Sequence, residues 1–336
     1  MCIRLLKNRP WKLGETLVTS IRTACIHNEM ASTNLMSLSD IEKKKFLDSF
    51  DCFISDCDGV LWHGRKPVPG AQDVLKKLVS IGKRRFYFTN NSTMTRKQFV
   101  EKFNALGFDA EEDEILSTAW LTAKYLKNIN FNKKVYAAAG FAVKEELDAL
   151  GIENIGVGPD NYEPKSSSSS PLISNELELA PDIGAVVVGY DFYFSYPKIM
   201  KACCYLHNPD CLFIATNKDE KFPLSEGVTV PGAGAFVAAL ETCSERNAEV
   251  MGKPSPFAID NVLIPSGLEP KRCLMIGDRC NTDIHFGKQR GMVTLLVETG
   301  VHKYSDLEKY KSSGMDHLIP SYYTSSVADL LEIMSL

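Results

Sequence analysis

Residues 50–60 read Phe-Asp-Cys-Phe-Ile-Ser-Asp-Cys-Asp-Gly-Val, and this stretch decides the fold. Its first half is apolar enough to predict a buried strand over residues 50–55. The strand is expected to end there, because Asp58 is followed by Gly59 and glycine permits a turn through which no strand would continue. Two carboxylates, those of Asp56 and Asp58, therefore stand at the carboxyl end of a strand.

The same pattern, a strand that ends in small polar residues before a helix, recurs along the chain. An apolar run from residue 85 ends in Thr89-Asn90-Asn91-Ser92, and a strand near the other end stops at Gly277-Asp278. The other elements predicted for this part are helices over residues 70–81, from about 95, over 285–290 and over 326–334, and a strand over 293–297. Such alternation predicts an α/β fold, a parallel sheet wrapped by helices, with ligands bound beyond the carboxyl ends of its strands.

A separate module interrupts this alternation. Its predicted elements are strands over residues 133–138, 185–189 and 211–215 and helices over residues 142–150 and 197–208. We interpret residues 132–247 as an inserted α/β domain, and residues 39–131 and 248–336 as the core that it interrupts. A five-serine run at residues 166–170 is typical of a flexible surface loop inside the insertion.

The bulk composition excludes several classes of protein. A net charge of −4 over 336 residues leaves no basic surplus for binding nucleic acid. Apolar runs such as residues 184–189 are far shorter than the roughly 20 residues of a membrane helix, so no membrane partner is expected. The ten cysteines contain no C-x-x-C pair, a pattern that favours reduced thiols and a cytoplasmic location.

The first 38 residues admit two interpretations. They are basic and poor in acids, with Arg4, Lys7, Arg9, Lys12 and Arg22 against Glu15 and Glu29. Such a composition predicts either a weak mitochondrial presequence or a disordered extension, and it favours the second. Ser39 followed by Glu42 forms a capping box, which predicts that the first helix begins here.

The polar strand ends carry groups that can hydrolyse a phosphate ester. Asp56 and Asp58 can reach one pocket, one attacking and the other handling protons, and Asp56 would form an aspartyl-phosphate. Repulsion between close carboxylates is relieved by a hard cation. Asp56, Asp278 and the backbone carbonyl of Asp58 make an oxygen-rich site suited to Mg²⁺.

Three further residues complete this candidate site. Thr89 offers a hydroxyl and adjacent backbone N–H groups to phosphoryl oxygens. Lys253, within Gly252-Lys253-Pro254-Ser255, supplies a cation, and Asp283 is expected to orient Lys253 or a metal-bound water. Taken singly, each of these residues is more often a turn, cap or surface residue. Their joint placement at strand ends favours a site.

Four segments together resemble the haloacid dehalogenase superfamily. They are Asp56-Cys57-Asp58-Gly59-Val60-Leu61-Trp62, Thr89-Asn90-Asn91-Ser92, Gly252-Lys253-Pro254-Ser255 and Gly277-Asp278-Arg279-Cys280-Asn281-Thr282-Asp283. The likeness is greatest to the branch of phosphoglycolate and pyridoxal phosphate phosphatases, also described as 4-nitrophenylphosphatases. It covers roughly residues 45–336, including Ala215-Thr216-Asn217-Lys218-Asp219.

This resemblance implies a Rossmann-like core with an inserted α/β cap, in a Mg²⁺-dependent phosphatase of small phosphorylated metabolites. It implies Asp56 as nucleophile and Asp58 as acid and base. It also implies a metal site on Asp56, Asp58 and Asp278, and a substrate phosphate held by Thr89, Asn90, Asn91 and Lys253. A homodimer formed through the cap is the expectation for this branch.

The leaving group is less constrained than the chemistry. The vitamin B6 phosphatases of this branch have a histidine where Phe222 stands before Pro223-Leu224. An apolar ring there favours phosphoglycolate or glycerol phosphate over pyridoxal phosphate. A phosphoprotein phosphatase is an alternative, whereas a non-enzymatic scaffold is disfavoured by the intact motifs. A dehydrogenase is disfavoured because no G-x-G-x-x-G follows the first strand.

Cys57, between the two aspartates, admits two interpretations. A thiol near the pocket would make the activity sensitive to oxidants. Alternation along an extended segment instead points its side chain away from those of Asp56 and Asp58 and into the core, and this second interpretation is favoured.

Overall fold

The computed structural model describes residues 32–160, 177–225 and 228–335. The predicted serine-rich loop at residues 166–170 and most of the expected extension, residues 1–31, lie outside this part. The α-helices are Asp40–Asp48, Ala71–Ser80, Arg96–Ala105, Thr118–Asn128, Phe141–Ala149, Tyr196–Leu206, Ala233–Ser244, His285–Lys288, Tyr304–Ser312 and Leu330–Ile333. Five 3₁₀ turns and two π-helical turns join them within the described residues: Leu35–Ser37, Glu112–Glu114, Pro270–Arg272, Asp316–Leu318 and Val327–Asp329, and Ile259–Leu263 and Cys280–Ile284.

One parallel sheet, which we call the core sheet, carries the polar strand ends. In the described part of the chain it has seven strands, in the order Thr33–Asn34, Tyr322–Thr324, Val293–Val297, Cys273–Gly277, Cys52–Ser55, Arg84–Thr89 and Ile115–Ser117. Every neighbouring pair is parallel. The Asp56 strand therefore lies between the strand that precedes Asp278 and the strand that ends at Thr89, as the sequence predicts.

A second parallel sheet, the cap sheet, is formed by the middle of the chain. Its described strands are, in order, Glu249–Val250, Leu212–Ala215, Ile183–Val188, Lys134–Ala138 and Asn154–Ile155. An antiparallel ribbon, the cap hairpin, pairs Lys221–Ser225 with Val228–Pro231. A smaller ribbon pairs Trp62–His63 with Lys66–Pro67. The predicted α/β class, a parallel-sheet core with an inserted α/β module, is confirmed.

Strand pairing adds residues at two of the predicted domain limits. Thr33–Asn34 pairs with the edge of the core sheet and Leu35 is fully buried, although the sequence places the start of the core at residue 39. A two-residue strand is too short to show a periodic pattern. Glu249–Val250 belongs to the cap sheet, although the insertion was expected to end at residue 247. The division into core and cap stays a proposal, with the cap closing near residue 250.

Local sequence explains where the helices begin. Glu42 accepts hydrogen bonds from the backbone N–H and the hydroxyl of Ser39, at 2.9 and 2.7 Å, and this completes the predicted capping box. Thr95 and Gln98 form the equivalent pair at the start of Arg96–Ala105, directly after the polar loop that follows Thr89. These caps fix the residue at which each helix begins.

Apolar side chains fill both faces of the core sheet. Phe53 and Ile276 contribute to one buried cluster, whereas Ile54 and Met275 contribute to the cluster on the opposite face. The alternation is that of a strand covered by helices on both sides. None of the helices within residues 32–160, 177–225 and 228–335 is long and apolar enough to cross a bilayer.

Candidate active site

The predicted site residues meet at the carboxyl edge of the core sheet. Asp56 follows the strand Cys52–Ser55 directly, and its backbone N–H donates to the carbonyl of Ile276 at 2.9 Å. Asp278 follows the neighbouring strand, and Thr89 is the last residue of the strand on the other side. Strand order alone thus brings three distant segments of the sequence together.

Lys253 lies at the centre of this group. Its ammonium is 2.7 Å from Asp56 Oδ1 and 2.8 Å from Asp283 Oδ1, and it donates to the carbonyl of Phe88 at 2.7 Å. Burial alone would lower the pKa of Lys253, but the charges of Asp283 and Asp56 outweigh this and raise the pKa above its ordinary value. Lys253 is therefore a fixed, buried cation.

Three carboxylates surround one small volume. Asp56, Asp278 and Asp283 each offer an oxygen, and these three oxygens lie within 4.8 Å of one another. Burial raises the pKa of Asp56 well above its usual range, against the opposing charge of Lys253. Burial, with the charge of Asp283, raises the pKa of Asp278 to about 7. The cluster holds more negative charge than the single ammonium of Lys253 balances, a feature typical of a site for a hard cation.

Asp283 is tied to this cluster from both sides. One of its oxygens is the partner of Lys253, and the other accepts from the backbone N–H of Arg279 at 3.0 Å. Of the two alternatives that the sequence leaves open, the structure brings Asp283 to Lys253.

The carboxylate of Asp58 lies outside this group of three. It accepts from the indole N–H of the buried Trp62 at 2.9 Å, lies 3.8 Å from the ammonium of Lys102, and is 48% exposed. Its predicted role as acid and base stays a prediction. Its expected part in a metal site rests on the backbone carbonyl, and it stays a prediction.

Two glycines leave room for Asp278. Gly59 has a φ of +89°, and a Cβ there would lie 2.6 Å from Asp278 Oδ2. Gly300 packs closer, and a Cβ there would lie 1.9 Å from the same oxygen. The backbone N–H of Val301 donates to that oxygen at 2.7 Å. The loop at residues 299–301 was not singled out from the sequence, because a glycine near a strand end is a weak signal by itself.

Thr89 and Asn91 make hydrogen bonds within the polar loop that follows the strand Arg84–Thr89. Thr89 is buried, and its hydroxyl accepts from the backbone N–H of Asn91 at 3.1 Å. The side-chain oxygen of Asn91 accepts from the backbone N–H and hydroxyl of Thr93, at 2.8 and 2.7 Å. These bonds fix the loop beside Lys253, and the predicted contacts of Thr89 and Asn91 with a phosphate remain expectations.

Asn90 braces Lys253. Its side-chain oxygen accepts from the backbone N–H of Lys253 at 2.8 Å, and its amide nitrogen donates to the carbonyl of Lys253 at 3.0 Å and to Asp219 at 2.9 Å. Both amide hydrogens of Asn90 therefore have protein partners. The side chain of Asn90 is thus occupied by Lys253 and Asp219, and the contact of Asn90 with a phosphate, which the sequence resemblance implies, stays a prediction.

Sequence reasoning missed Asn217 and Asp219 as site residues. Asn217 donates to the carbonyl of Asn90 at 2.8 Å, and Thr118 donates to the same carbonyl at 2.8 Å. A signal was available, because Thr216-Asn217-Lys218-Asp219 follows the strand Leu212–Ala215 just as Thr89-Asn90-Asn91-Ser92 ends its own strand. Polar residues directly after a strand therefore indicated Asn217 and Asp219 by the same pattern that indicated Thr89.

Two other predicted positions can be located. Phe222 lies in the cap hairpin, where it pairs with Val230. Cys57 is fully buried among apolar side chains, and burial raises the pKa of its thiol well above the ordinary value. The interpretation of Cys57 as a core residue is confirmed.

A parallel core whose strand ends gather three carboxylates and a lysine, with an inserted cap, defines a class of phosphate-processing hydrolase. A model of the haloacid dehalogenase-like hydrolases matches residues 53–153, and a HAD-hydrolase-like model matches residues 250–330. The chain belongs to the haloacid dehalogenase-like hydrolase family, and it is a phosphatase of that family.

Named relatives cover most of the chain. It is 39% identical to the glycerol-3-phosphate phosphatase of Rattus norvegicus over 305 residues, 88% of this chain and 94% of the relative. It is 42% identical to phosphoglycolate phosphatase 2 of Arabidopsis thaliana over 301 residues, 88% and 97% of the two chains. The solved p-nitrophenyl phosphatase from Archaeoglobus fulgidus matches with a TM-score of 0.71 and 28% identity, over 86% of this chain and 100% of the other.

Proposed function

We propose that this chain is a Mg²⁺-dependent phosphatase that hydrolyses small phosphate monoesters through an aspartyl-phosphate on Asp56. The observation that carries the proposal is one cluster. A carboxylate that can attack, that of Asp56, lies 2.7 Å from the ammonium of Lys253, and one of its oxygens lies within 4.8 Å of an oxygen of Asp278 and an oxygen of Asp283. A nucleophile and the positive charge that stabilises a phosphoryl group are thus within one volume.

The donor chemistry of the cluster fits Mg²⁺. Mg²⁺ prefers hard oxygen ligands and retains waters, so one or two carboxylates suffice to hold it beside a phosphate. Asp56 and Asp278, with the backbone carbonyl of Asp58, are the groups that would hold the ion. When bound, Mg²⁺ would neutralise the crowded carboxylates and polarise a phosphoryl oxygen.

In the first step Asp56 attacks the phosphorus of the ester. An O–P bond forms between the carboxylate and the phosphoryl group, and the bond from phosphorus to the leaving oxygen breaks. Lys253, whose buried ammonium lies 2.7 Å from Asp56 Oδ1, would stabilise the negative charge on the phosphoryl oxygens. Asp283 and the carbonyl of Phe88 hold that ammonium in place.

Asp58 transfers the protons in both steps. It gives a proton to the leaving alkoxide, and then takes a proton from the water that attacks the aspartyl-phosphate. The second attack breaks the O–P bond to Asp56 and releases inorganic phosphate. The exposure of the Asp58 carboxylate supports this role, because it must meet the leaving group and water in turn.

For the substrate, we favour 2-phosphoglycolate or glycerol phosphate. Relatives that match nearly the whole chain bear the names glycerol-3-phosphate phosphatase and phosphoglycolate phosphatase. Phe222, in the cap hairpin, stands where histidine is expected in a vitamin B6 phosphatase, which disfavours pyridoxal phosphate. We also propose a homodimer formed through the cap. A cytoplasmic location is proposed too, with mitochondrial import through residues 1–38 as the alternative.

The test is phosphate release by the purified protein from a panel of phosphorylated metabolites, with and without Mg²⁺. We expect turnover of 2-phosphoglycolate or glycerol phosphate that stops on chelation and returns with Mg²⁺. The variant Asp56→Asn should be slower by about a thousandfold or more, since the nucleophile is lost. Wild-type rates from Asp56→Asn, or full activity with a chelator, would contradict the proposal.

A further inference from the structure

Three distant segments of the chain meet at the side chain of Asn90. The first is its own loop on the core sheet, and the second is the segment around Lys253. The third is the loop at residues 216–219, which follows the cap strand Leu212–Ala215. Asn90 is buried and makes hydrogen bonds to the other two segments, to Lys253 and Asp219 through its side chain and to Asn217 through its backbone carbonyl.

The direction of these bonds is fixed by chemistry. The backbone N–H of Lys253 can only donate, so the side-chain oxygen of Asn90 must face it. The amide nitrogen then faces the carbonyl of Lys253 and the carboxylate of Asp219. Asp219 must therefore be an acceptor. It holds Asn90 in the orientation in which the Asn90 side chain bonds to both the backbone N–H and the carbonyl of Lys253.

The segment that carries Lys253 is itself continuous with the cap. Met251 donates through its backbone N–H to the carbonyl of Ala215 at 2.9 Å, and Gly252 donates to the carbonyl of Thr216 at 2.8 Å. Lys253 thus follows a stretch that continues the edge of the cap sheet. Its ammonium, however, acts on the carboxyl edge of the core sheet, at Asp56.

The loop at residues 216–219 also leads into the cap hairpin. The carbonyl of Asp219 accepts from the backbone N–H of Gly234 at 2.9 Å, at the start of the helix Ala233–Ser244. Arg279, next to Asp278, donates to the carbonyl of Lys221 at the base of the hairpin, at 3.3 Å. The hairpin that carries Phe222 is therefore held at its base from both the cap and the core.

We propose that Asp219 is a positioning residue that, through Asn90, fixes the backbone of Lys253 and so sets the affinity of the site for a phosphoryl group. This inference rests on the proposed function, because it assigns Lys253 to the phosphate. Asp219 touches no reacting atom. It makes the position of the lysine depend on the position of the cap loop that precedes the hairpin.

The test compares Asp219→Ala, Asp219→Asn and a matched control, Glu220→Ala, in the full-length protein with Mg²⁺. Glu220 is the next residue of the same loop and its side chain is exposed. Affinity for inorganic phosphate is measured by calorimetry, which needs no turnover. The kcat and KM for 4-nitrophenyl phosphate and the thermal unfolding midpoint are measured beside it.

We expect Asp219→Ala to weaken phosphate binding about tenfold and to raise KM, because loss of the acceptor frees Asn90 to turn away from Lys253. Asp219→Asn keeps an acceptor oxygen, so its phosphate affinity should stay within about twofold of wild type. Glu220→Ala should match wild type. A purely structural loss would lower the active fraction and the unfolding midpoint while the remaining folded protein kept its phosphate affinity.

Unchanged phosphate affinity in Asp219→Ala would overturn the inference. Equal weakening in Asp219→Ala and Asp219→Asn would also overturn it, since the acceptor would then be irrelevant. Weakened phosphate binding in Asp219→Ala alone, in a protein that turns over no phosphate ester, would support the positioning role and remove the proposed function. The two claims therefore fail separately.

Discussion

Gly300 offers a test of the site in which no proposed catalytic side chain is itself substituted. A Cβ at this position would lie 1.9 Å from Asp278 Oδ2, 2.4 Å from its Cγ and 2.5 Å from its Cβ. Rotating the Asp278 side chain relieves only the first two contacts, because the third involves an atom next to the backbone. The substitution Gly300→Ala must therefore move the backbone of one residue or the other.

The size of this movement follows from the distances. Real Cβ atoms essentially never approach other heavy atoms within 3.0 Å, so the contacts at 1.9–2.5 Å require a shift of about 0.5–1 Å. A misplacement of about 1 Å in a catalytic site costs on the order of a hundredfold in rate. We expect Gly300→Ala to lower kcat/KM about a hundredfold and to raise the Mg²⁺ concentration needed for half-maximal activity.

The assay is release of 4-nitrophenol over a range of Mg²⁺ concentrations, with Gly314→Ala as the control. Gly314 has a φ of +67° and nothing lies within 4 Å of its notional Cβ, so alanine there adds backbone strain without touching the site. The control should lose some stability, about 1 kcal/mol, and keep its kinetic constants. Wild-type kinetics and Mg²⁺ dependence in Gly300→Ala would refute the reasoning about Asp278.

Three other changes have distinct expected outcomes. Asp58→Asn should lower kcat/KM, which reports the step in which the leaving group departs, far more for glycerol phosphate than for 4-nitrophenyl phosphate, because nitrophenolate leaves without a proton; equal losses of kcat/KM would contradict the acid role. Lys253→Met should abolish turnover. Without Mg²⁺ it should also lower the free energy of unfolding by about 3–5 kcal/mol, because Asp56 loses its buried partner. Urea titration measures the free energy of unfolding, and an unchanged value would contradict the buried ion pair. Iodoacetamide at pH 8 should label the exposed Cys204 and spare the buried Cys57, whose raised pKa keeps the thiol protonated; peptide mapping that found Cys57 labelled in the folded protein would contradict its burial.

Elements with a clear pattern of apolar residues could be predicted from the sequence. The strand predicted over residues 293–297 is Val293–Val297, and the helix predicted over residues 70–81 is Ala71–Ser80. Elements with little pattern of their own were missed, such as the strand Ile115–Ser117, which is three residues long. Such a strand forms because Arg84–Thr89 offers it an edge, and this tertiary fact has no local signature.

The site was predictable where one residue type implies one chemistry. Asp56, Asp278, Asp283 and Lys253 meet as the motif spacing indicates. The hydrogen-bond partners of Asn90 could not be predicted in this way, because an amide side chain can form hydrogen bonds with a phosphate, a backbone group or a carboxylate. Its commitment to Lys253 and Asp219 depends on how the cap loop folds over the core, and only the three-dimensional structure contains that information.

Trapping the phosphoryl group tests the central claim most directly. The protein would be mixed with ³²P-labelled substrate and Mg²⁺, quenched in acid within its first turnovers, and digested. We predict label on the peptide that contains Asp56, and none in Asp56→Asn or without Mg²⁺. Label on a different peptide, or phosphate release from Asp56→Asn at the wild-type rate, would contradict the account.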